Sequence, residues 1–458
     1  MNPEVFRQYD IRGRAEIELT DDFTRALGRA YGTAVRRAGG AVVAVGRDCR
    51  ESGPRITAAF TEGVRATGVD VIDLGVVPTP LVYFAIHHLG TDGGVAITGS
   101  HNPGDWNGFK PCLGPLSMHG EAILALRDLI AADDFEHGKG DWREVDIVEP
   151  YLAWARGAVK PGRPLRVVVD AGNGTGGPVA LALYRALGHE VHPLYCEPDG
   201  SFPNHHPDPT VEANLADLKA KVAAIGADVG LAFDGDADRL GAVDAQGRVV
   251  WGDWLLLFLA GAVLAEHPGA RIVGEVKCSR TLYDGVRAAG GVAEMWKVGH
   301  SLIKARMRET GALLAGEMSG HLFFADRGFG FDDAVYAGAR LLELLAHDKT
   351  TLAERVDALP KTVATPELRV ACADADKFAV VARAATYFRA RYPVVDLDGV
   401  RVDFAHGWGL VRPSNTQPVL VMRFEADTPA RLAEYRAEVE GWLRASAPEV
   451  DFAANPDH

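Results

Sequence analysis

Short apolar runs alternate with longer, alanine-rich stretches along most of the chain. The runs have the length of buried strands, and the stretches between them have the length and composition of helices. This alternation predicts α/β layers with mixed or parallel sheets. The predicted strands include residues 41–46, 71–74, 94–97, 165–170, 229–233 and 271–276.

Three of these strands run into a polar or glycine-rich loop, at residues 42–48, 167–174 and 272–277. The repetition indicates related α/β units, although their sequences differ too much to establish a duplication. Charged or turn-forming segments near residues 145, 248 and 360 predict domain boundaries. The last residues read as a frayed tail. The predicted domains are residues 1–145, 146–248, 249–360 and 361–458, with the tail at 451–458.

Composition narrows the class of protein. With 458 residues, 47% of them hydrophobic, the chain can bury several cores. A net charge of −14 without a Lys/Arg cluster argues against a nucleic-acid partner. Five scattered cysteines without a Cys-x-x-Cys pair argue against zinc and disulfides. No signal peptide is evident, and the longest apolar stretch, 254–265, reads as a buried helix rather than a membrane span. We therefore expect a cytoplasmic protein.

Residues 98–103, Thr-Gly-Ser-His-Asn-Pro, form the first candidate for chemistry and are called the serine loop here. They follow an apolar run, so Ser100 is expected on an exposed loop at the carboxyl end of a strand, where open α/β sheets place their reactive groups. No Gly-x-Ser-x-Gly elbow surrounds it, which disfavours a hydrolase triad. The alternative is a simple Ser/Asn/Pro turn.

Residues 234–239, Asp-Gly-Asp-Ala-Asp-Arg, form the aspartate loop. Carboxylates at alternate positions can converge on one hard cation if the loop curls around it. An EF-hand would need glycine and glutamate where Arg239 and Ala245 stand, which argues against a calcium loop. Few protein ligands with an open position suit Mg²⁺ completed by a phosphate oxygen. The alternative is a solvated acidic turn.

Two further loops carry polar groups at close spacing. In the glutamate loop, residues 316–321, Glu317 and Ser319 point the same way if the backbone is extended, and can grip two neighbouring sugar hydroxyls. In the arginine loop, residues 412–418, a guanidinium, two hydroxyls and an amide make the inventory of an anion-binding nest. The alternatives are a glycine-bounded turn with an incidental acid and a proline-bounded surface turn.

In this order, the four loops resemble the motifs of the α-D-phosphohexomutase superfamily, and most closely those of its bacterial phosphomannomutase/phosphoglucomutase group. The resemblance covers the whole chain, with one motif in each predicted domain. It implies three related α/β domains with mixed sheets and a smaller C-terminal α+β domain, arranged around a central cleft. In chain order these would be phosphoserine, metal-binding, sugar-binding and phosphate-binding domains.

The resemblance also implies an activity. Mannose and glucose 1-phosphates would be interconverted reversibly with their 6-phosphates through a phosphoserine enzyme and a hexose 1,6-bisphosphate. Ser100 would carry the phosphate, and Mg²⁺ would be the metal. Glucose 1,6-bisphosphate would act as activator, phosphosugars would be the partners, and a monomer without nucleic-acid or membrane partners is expected. A hinge is expected near residues 358–366, because the arginine loop lies on a separate domain and must close over the substrate.

The roles implied by the resemblance are specific. Arg239 would steady the transferring phosphate. Lys110 and His300 are favoured for proton handling, and a lysine near Mg²⁺ and other cations can have a lowered pKa. His101 is either a further proton carrier or a loop-stabilising residue. The expected metal ligands are Ser100, Asp234, Asp236 and Asp238. The expected substrate contacts are Tyr9, Arg12, Lys277, Glu317, Ser319, His321, Arg412, Ser414, Asn415 and Thr416.

Other readings stay open at this point. Met318 fits the phosphomannomutase/phosphoglucomutase pattern, whereas phosphoglucosamine mutases tend to have glutamine there. A non-catalytic phosphosugar sensor should have lost Ser100, an aspartate or Arg412, and none is lost. A phosphatase would use water against the phosphoserine. A dinucleotide loop at residues 172–177 is disfavoured, because no acid clearly ends the following strand and no Walker lysine is present.

Overall fold

The computed structural model describes residues 2–415 and 417–453. Thr416, a predicted phosphate contact, and residues 454–458 of the predicted tail lie outside this range. The chain forms four sheets in succession, and each sheet with its helices is called a unit here. The first three units are α/β and the fourth is α+β, as predicted.

The first unit has a mixed seven-stranded sheet in the order β1-β5-β4-β2-β3-β7, with β6 added to β5. Strands β2, β3 and β4 run parallel, and β5 returns antiparallel beside β4. Its elements are β1 (Ile11–Arg14), α1 (Asp21–Arg37), β2 (Val42–Arg47), α2 (Gly53–Arg65), β3 (Asp70–Val76), α3 (Thr79–Leu89), β4 (Gly93–Ile97), β5 (Trp106–Leu113), β6 (Leu116–Ser117), α4 (Glu121–Ala132) and β7 (Trp142–Glu144).

The second unit has five strands in the order β12-β11-β10-β8-β9. Strands β8, β9 and β10 are parallel, and β11 is antiparallel to β10. Its elements are α5 (Val148–Ala158), β8 (Arg166–Asp170), α6 (Gly176–Ala186), β9 (Glu190–Leu194), α7 (Ala216–Ile225), β10 (Val229–Phe233), β11 (Leu240–Asp244) and β12 (Val249–Val250).

The third unit has four strands in the order β14-β13-β15-β16, again with three parallel strands and one antiparallel return. The predicted buried helix at 254–265 is confirmed as α8. The elements are α8 (Gly252–Glu266), β13 (Arg271–Glu275), α9 (Arg280–Ala288), β14 (Val292–Trp296), α10 (His300–Thr310), β15 (Leu314–Gly316), β16 (Leu322–Phe324), α11 (Ala334–His347) and α12 (Leu352–Asp357).

The fourth unit is an antiparallel sheet in the order β19-β20-β21-β22-β18-β23, with β17 added to β22 and two long helices. Residues 450–451 pair with β18, so the prediction that the frayed tail begins at residue 451 is wrong. The elements are β17 (Val363–Ala364), β18 (Leu368–Cys372), α13 (Lys377–Arg389), β19 (Val394–Val395), β20 (Val400–Phe404), β21 (Gly407–Pro413), β22 (Val419–Ala426), α14 (Pro429–Ser446) and β23 (Val450–Asp451).

The first three units share one topology. Their central strands lie in the orders β5-β4-β2-β3, β11-β10-β8-β9 and β16-β15-β13-β14, each a βαβαβ unit followed by an antiparallel strand. The serine, aspartate and glutamate loops each connect the last parallel strand to that antiparallel strand. Equivalent positions in three related sheets therefore carry the three candidate motifs.

The first three units share a hydrophobic core, and the fourth unit has a separate one. One core runs through the first three units and includes Phe84, Tyr151, Tyr184 and Tyr336. The fourth unit has its own core, and it meets the third through a small cluster around Trp408. Within the described residues, no helix has both the length and the apolarity needed to cross a membrane.

Candidate active site

Ser100 lies directly after β4, at the carboxyl end of the strand, but it is only 1% exposed rather than on an open loop. The first and second units meet over it. Its φ of +50° is a left-handed conformation that side-chain-bearing residues rarely adopt, and such strain is concentrated at functional sites. Its Oγ donates to Asp234 Oδ2 at 2.8 Å and lies 3.1 Å from His101 Nδ1.

A buried ion pair that sequence reasoning missed holds the serine loop in place. The side chain of Arg50 is fully buried and donates to the carbonyls of Ser100 at 2.8 Å and Asn102 at 2.6 Å, and also to those of Pro103 and Trp106. Asp48 pairs with Arg50 at 3.1 Å and accepts from the Thr98 hydroxyl at 2.8 Å. The sequence did offer a signal for this ion pair, because charged residues come directly after the buried strand β2.

The aspartate loop curls so that three carboxylates face one point. Asp234, Asp236 and Asp238 are fully buried, and one oxygen from each lies within 4.8 Å of the others. Ala237 has a φ of +55°, which turns the backbone between them. A Cβ on Gly235 would stand 2.5 Å from the carbonyl oxygen of Ser100, so only glycine allows the two loops to approach this closely.

These carboxylates fit a hard divalent cation. Burial and the neighbouring Asp238 and Asp236 raise the pKa of Asp234 well above its usual range, because like charges crowd one another. Among the described residues, Asp236 Oδ1 and Asp238 Oδ1 are buried without a hydrogen-bond donor. Oxygen donors that lack partners and carry excess negative charge are what Mg²⁺ requires.

Lys110 supplies part of the positive charge near the aspartate loop. Its Nζ donates to Asp236 Oδ2 at 2.6 Å and to Asp238 Oδ2. Burial by itself lowers the pKa of Lys110, but Asp236 and Asp238 outweigh burial, so this pKa is raised. The aspartates, and not other cations, dominate the protein groups around Lys110. The lowered pKa expected beside a bound Mg²⁺ stays a prediction. Thr79, also missed from the sequence, donates to Asp236 Oδ2 at 2.5 Å.

His321 and His300 lie on either side of a buried aspartate from the third unit, Asp332, which sequence reasoning also missed. His321 Nδ1 is 3.1 Å and His300 Nδ1 is 3.5 Å from Asp332 Oδ2. Lys304 donates to the other oxygen at 2.9 Å. Burial, and after it Lys304, lowers the pKa of His300 well below its usual range. Arg239 Nε donates to His321 Nε2 at 3.1 Å, which joins the aspartate and glutamate loops.

The glutamate loop forms a turn rather than extended backbone, yet it brings its two polar side chains together. Ser319 Oγ donates to Glu317 Oε2 at 3.2 Å, and Glu317 Oε1 accepts from Gly299 N at 2.5 Å. Leu240 N donates to Gly320 O at 3.0 Å, which ties the turn to the second unit. Glu317 is buried, and Ser319 remains half-buried at the cleft.

The arginine loop connects β21 to β22 in the fourth unit. Arg412 is buried and pairs with Asp398 at 3.1 Å. Asn415 donates to the Tyr9 hydroxyl, which in turn donates to Val298 O at 2.8 Å. The loop therefore contacts the first unit directly, and through Tyr9 it is linked to the third. Ser414 Oγ accepts from Gln417 N at 3.2 Å and so shapes the loop.

The two remaining predicted contacts, Arg12 and Lys277, are held by ion pairs beside these loops. Arg12 donates to Asp10 Oδ2 at 2.7 Å and to Asn102 Oδ1 at 3.0 Å, so it reaches the serine loop. Lys277, in the loop after β13, donates to Glu367 Oε2 at 3.1 Å. The predicted residues that the structure describes thus lie on four converging loops and on the segments that contact them.

Comparison with known proteins agrees with this architecture. Residues 3–137, 149–247 and 251–363 match α/β/α domains I, II and III of phosphoglucomutase/phosphomannomutase, and residues 367–441 match the C-terminal domain of that family. The chain is 47% identical over 444 residues to a phosphomannomutase/phosphoglucomutase of Pseudomonas aeruginosa, covering 96% of each protein. It is 45% identical over 434 residues to a phosphoglucomutase of Neisseria gonorrhoeae, covering 94% of each.

Among solved structures, a phosphoglucomutase/phosphomannomutase family protein from Burkholderia thailandensis superposes with a TM-score of 0.92 at 45% identity. That match covers 99% of this chain and 98% of the other. All four units, their order and their junctions are thus shared over nearly the full length. The chain therefore belongs to the phosphoglucomutase/phosphomannomutase family.

Proposed function

We propose that this protein interconverts the 1-phosphates and 6-phosphates of glucose and mannose through a phosphoserine at Ser100 and a hexose 1,6-bisphosphate. The observation that carries the proposal is the placement of the Ser100 hydroxyl, 2.8 Å from Asp234 within a buried aspartate cluster. A hydroxyl beside a divalent-cation site is suited to phosphoryl transfer. The names of the similar proteins support the same sugars.

The proposed cycle conserves both phosphates. The bond between phosphorus and Ser100 Oγ breaks as a bond forms from that phosphorus to the free hydroxyl of the sugar monophosphate. The hydroxyl proton leaves, and Ser100 Oγ regains a proton. After the bisphosphate turns over in the cleft, its other phosphate returns to Ser100. A covalent enzyme avoids direct transfer between oxygens on opposite sides of the ring.

Asp234, Asp236 and Asp238 would hold Mg²⁺ together with an oxygen of the phosphoserine. When bound, the ion withdraws charge from the transferring phosphoryl group. Arg239 lies beside the aspartate loop, and we assign it to the same phosphate. The metal assignment rests on the convergence of the three carboxylates and on the buried Oδ1 atoms of Asp236 and Asp238, which have no hydrogen-bond partner among the described residues.

The candidate proton carriers differ in pKa because their surroundings differ. Burial lowers the pKa of His300, so its neutral ring can accept the proton of the attacking hydroxyl. Lys110, with its raised pKa, stays protonated and is suited to stabilise the negative charge that develops near Ser100. It would return a proton to Ser100 only where a cation bound by the aspartates lowers that pKa. His101 remains a second candidate because its Nδ1 is 3.1 Å from Ser100 Oγ.

The remaining loops would hold the substrate. Glu317 and Ser319 would bind the O3 and O4 hydroxyls and make no contact that distinguishes the two configurations at C2. Both glucose and mannose would therefore be accepted. His321 would contact the sugar beside Glu317 and Ser319. Lys277 and Tyr9 would line the site that the sugar enters. The non-reacting phosphate would be bound by Arg412, Ser414, Asn415 and Thr416. Arg12 would contact the substrate beside the serine loop.

On this proposal the four domains have separate tasks. Residues 1–145 carry the phosphoserine, 146–248 the metal, 249–360 the sugar site and 361–458 the phosphate site. We further propose a cytoplasmic monomer that uses phosphosugars, with glucose 1,6-bisphosphate as activator and no nucleic-acid partner. An acidic net charge of −14 is consistent with the last point.

The proposal is tested by peptide mass mapping of protein incubated with glucose 1,6-bisphosphate and Mg²⁺. One phosphate should appear on Ser100 and disappear when glucose 1-phosphate or mannose 1-phosphate is added. Ser100→Ala should stay unphosphorylated, and chelation of the metal should stop the exchange. If wild-type Ser100 never acquires a phosphate, the mutase mechanism is wrong.

A further inference from the structure

A carboxylate that none of the four loops contains sits among the cations of the proposed phosphate site. Glu367 precedes β18 in the fourth unit. Its Oε2 accepts from Lys277 Nζ at 3.1 Å, and its Oε1 accepts from Arg369 Nη2 at 3.2 Å. Arg369 Nη1 in turn donates to Gln417 Oε1 of the arginine loop at 3.2 Å. Glu367 therefore links Lys277, a proposed sugar contact, through Arg369 to the arginine loop, which is proposed to bind phosphate.

The surroundings of Glu367 keep it ionised. Lys277, together with Arg369 and Arg412, lowers its pKa to about 2 against the opposing effect of burial. Its side chain is 22% exposed, so its charge is screened only in part. Arg412 is neutralised separately by Asp398, which also accepts from Val298 N at 3.0 Å and so has a structural task.

We propose that Glu367 is an internal counter-ion that the non-reacting phosphate of the substrate displaces from Lys277, and that it thereby sets the affinity of the cleft for phosphate dianions. This inference rests on the proposed function. A phosphate dianion that enters beside Arg412 meets the negative charge of Glu367. It can pair with Lys277 only when the ion pair between Glu367 and Lys277 breaks. Binding is weakened, and release becomes easier.

Easier release matters for a reaction with a bisphosphate intermediate. The intermediate must free one phosphate from the arginine loop before the other can take its place. A carboxylate that returns to Lys277 stabilises the empty site and lowers the free-energy cost of that exchange. Glu367 is thus a residue that tunes binding, and not one that contacts the reacting atoms.

The test replaces the charge and keeps the shape. Glu367→Gln retains an oxygen that can accept from Lys277. Loss of one negative charge beside a dianion in a partly solvated site is expected to tighten the Kd for glucose 6-phosphate about tenfold in titration calorimetry. The gain should disappear in an Arg412→Ala background, where the phosphate is no longer held beside residue 367. An unchanged or weaker Kd in Glu367→Gln would overturn the proposal.

Two companion variants separate charge from domain contact. Arg369→Gln removes a cation and should weaken binding, opposite in sign to Glu367→Gln. If the Lys277–Glu367 pair only held the third and fourth units together, Glu367→Gln would weaken binding as well, and the proposal would be wrong. Glu449→Gln is the matched control, because Glu449 pairs with Arg383 at 3.0 Å elsewhere in the fourth unit and should leave the Kd unchanged.

Turnover distinguishes this inference from the proposed function. In a working mutase, Glu367→Gln should lower both KM and kcat, because tighter binding slows exchange of the intermediate. An unchanged kcat with a tighter Kd would contradict the release argument. A wild-type protein that never phosphorylates Ser100 would defeat the proposed mutase cycle, while the calorimetric comparison of charge variants would still decide the counter-ion role.

Discussion

At the scale of single residues, the reactive serine depends on groups that do no chemistry. Ser100 is held at a φ of +50°, which costs free energy unless its surroundings enforce it. Arg50 enforces it by donating to four carbonyls of the serine loop and the residues beside it, and its ion pair with Asp48 orients the guanidinium. The shape of the nucleophile's loop is therefore set by a buried ion pair in the segment that follows the neighbouring strand β2.

Arg50→Lys should slow phosphorylation of Ser100 without abolishing the fold. A lysine keeps the charge but cannot reach four carbonyls in a plane. A displacement of about 1 Å at a reacting group costs about 100-fold in rate, and we expect that order of loss in the initial rate of Ser100 phosphorylation by glucose 1,6-bisphosphate. Arg37→Lys, at an exposed pair with Asp134, is the control. A wild-type rate in Arg50→Lys would contradict the positioning role.

At the scale of elements, three equivalent loops are brought together by close backbone contact. The serine and aspartate loops meet where Gly235 faces the Ser100 carbonyl, and the aspartate and glutamate loops pair between Arg239 and His321. Each loop ends a parallel strand and starts its antiparallel neighbour. The site therefore forms where three copies of one strand junction face one another.

Gly235→Ala should separate the serine and aspartate loops. Its added Cβ would lie 2.5 Å from a backbone oxygen, which cannot rotate away as a flexible side chain would. We expect a fall in kcat of at least about tenfold and a weaker dependence on Mg²⁺, measured by coupled assay across a metal titration. Gly157→Ala is the control, because nothing lies within 4 Å of its added Cβ. Equal activity of the two variants would argue against this close contact.

The start of α11 should make stability depend on pH. Asp333 caps this helix and accepts from the Tyr151 hydroxyl, and burial raises its pKa to about 7. Because its folded-state pKa exceeds the unfolded value, its contribution to stability is full at acid pH and is lost as pH rises from about 4 to about 7. The loss amounts to about 1.4 kcal/mol for each pH unit that separates the two pKa values.

Asp333→Asn isolates that contribution, since asparagine also caps helices well and does not ionise. The wild type should lose melting temperature relative to this variant as pH rises from about 4 to about 7, and the difference should change little above that range. Thermal unfolding followed by circular dichroism at several pH values provides the comparison. A difference between the two proteins that stays constant with pH would show that Asp333 is already ionised throughout.

At the scale of the whole molecule, three units form one body and the fourth is attached to it. The first three share a core, whereas the fourth packs its own and meets the third at a few buried groups. Arg401 stacks on Trp408 at 3.8 Å and donates to the carbonyls of Val276 at 2.6 Å and Cys278 at 2.7 Å. No helix or strand is formed at residues 358–362, which link α12 to β17. The hinge near residues 358–366 stays a prediction, and we expect these contacts to rearrange as the fourth unit rotates about the linker.

Small-angle scattering should therefore show compaction when glucose 1,6-bisphosphate and Mg²⁺ are added. The ligand would bridge the arginine loop to the serine and aspartate loops, and closure would exclude water from the phosphoserine. A cavity of about 550 Å³ between the fourth unit and Tyr9 and Lys297 leaves room for that movement. Inorganic phosphate alone cannot bridge the units and should leave the radius of gyration unchanged. The same radius with and without bisphosphate would rule out closure on binding.

Local sequence determined the strands, the loops at their ends and the residue types of the candidate chemistry. Apolar runs at 94–97, 229–233 and 271–276 became β4, β10 and β13, because burial of such runs requires little more than neighbouring strands. The serine, aspartate and arginine loops were candidates by their residue types and spacing, and the resemblance of the four motifs in order decided between each site and a plain turn. The predicted domain limits and the role of each site residue stay predictions.

Tertiary structure alone decided which groups face one another and how they are charged. Arg50 and Asp332 lie outside the four motifs, so no local pattern placed them beside Ser100 and His321. Lys110 has a raised pKa because aspartates that are far from it in the sequence lie next to it in the fold. Spacing along the chain does not predict that contact. Burial and long-range charge depend on how separate units pack, and for that reason local sequence predicted the elements while packing completed the site.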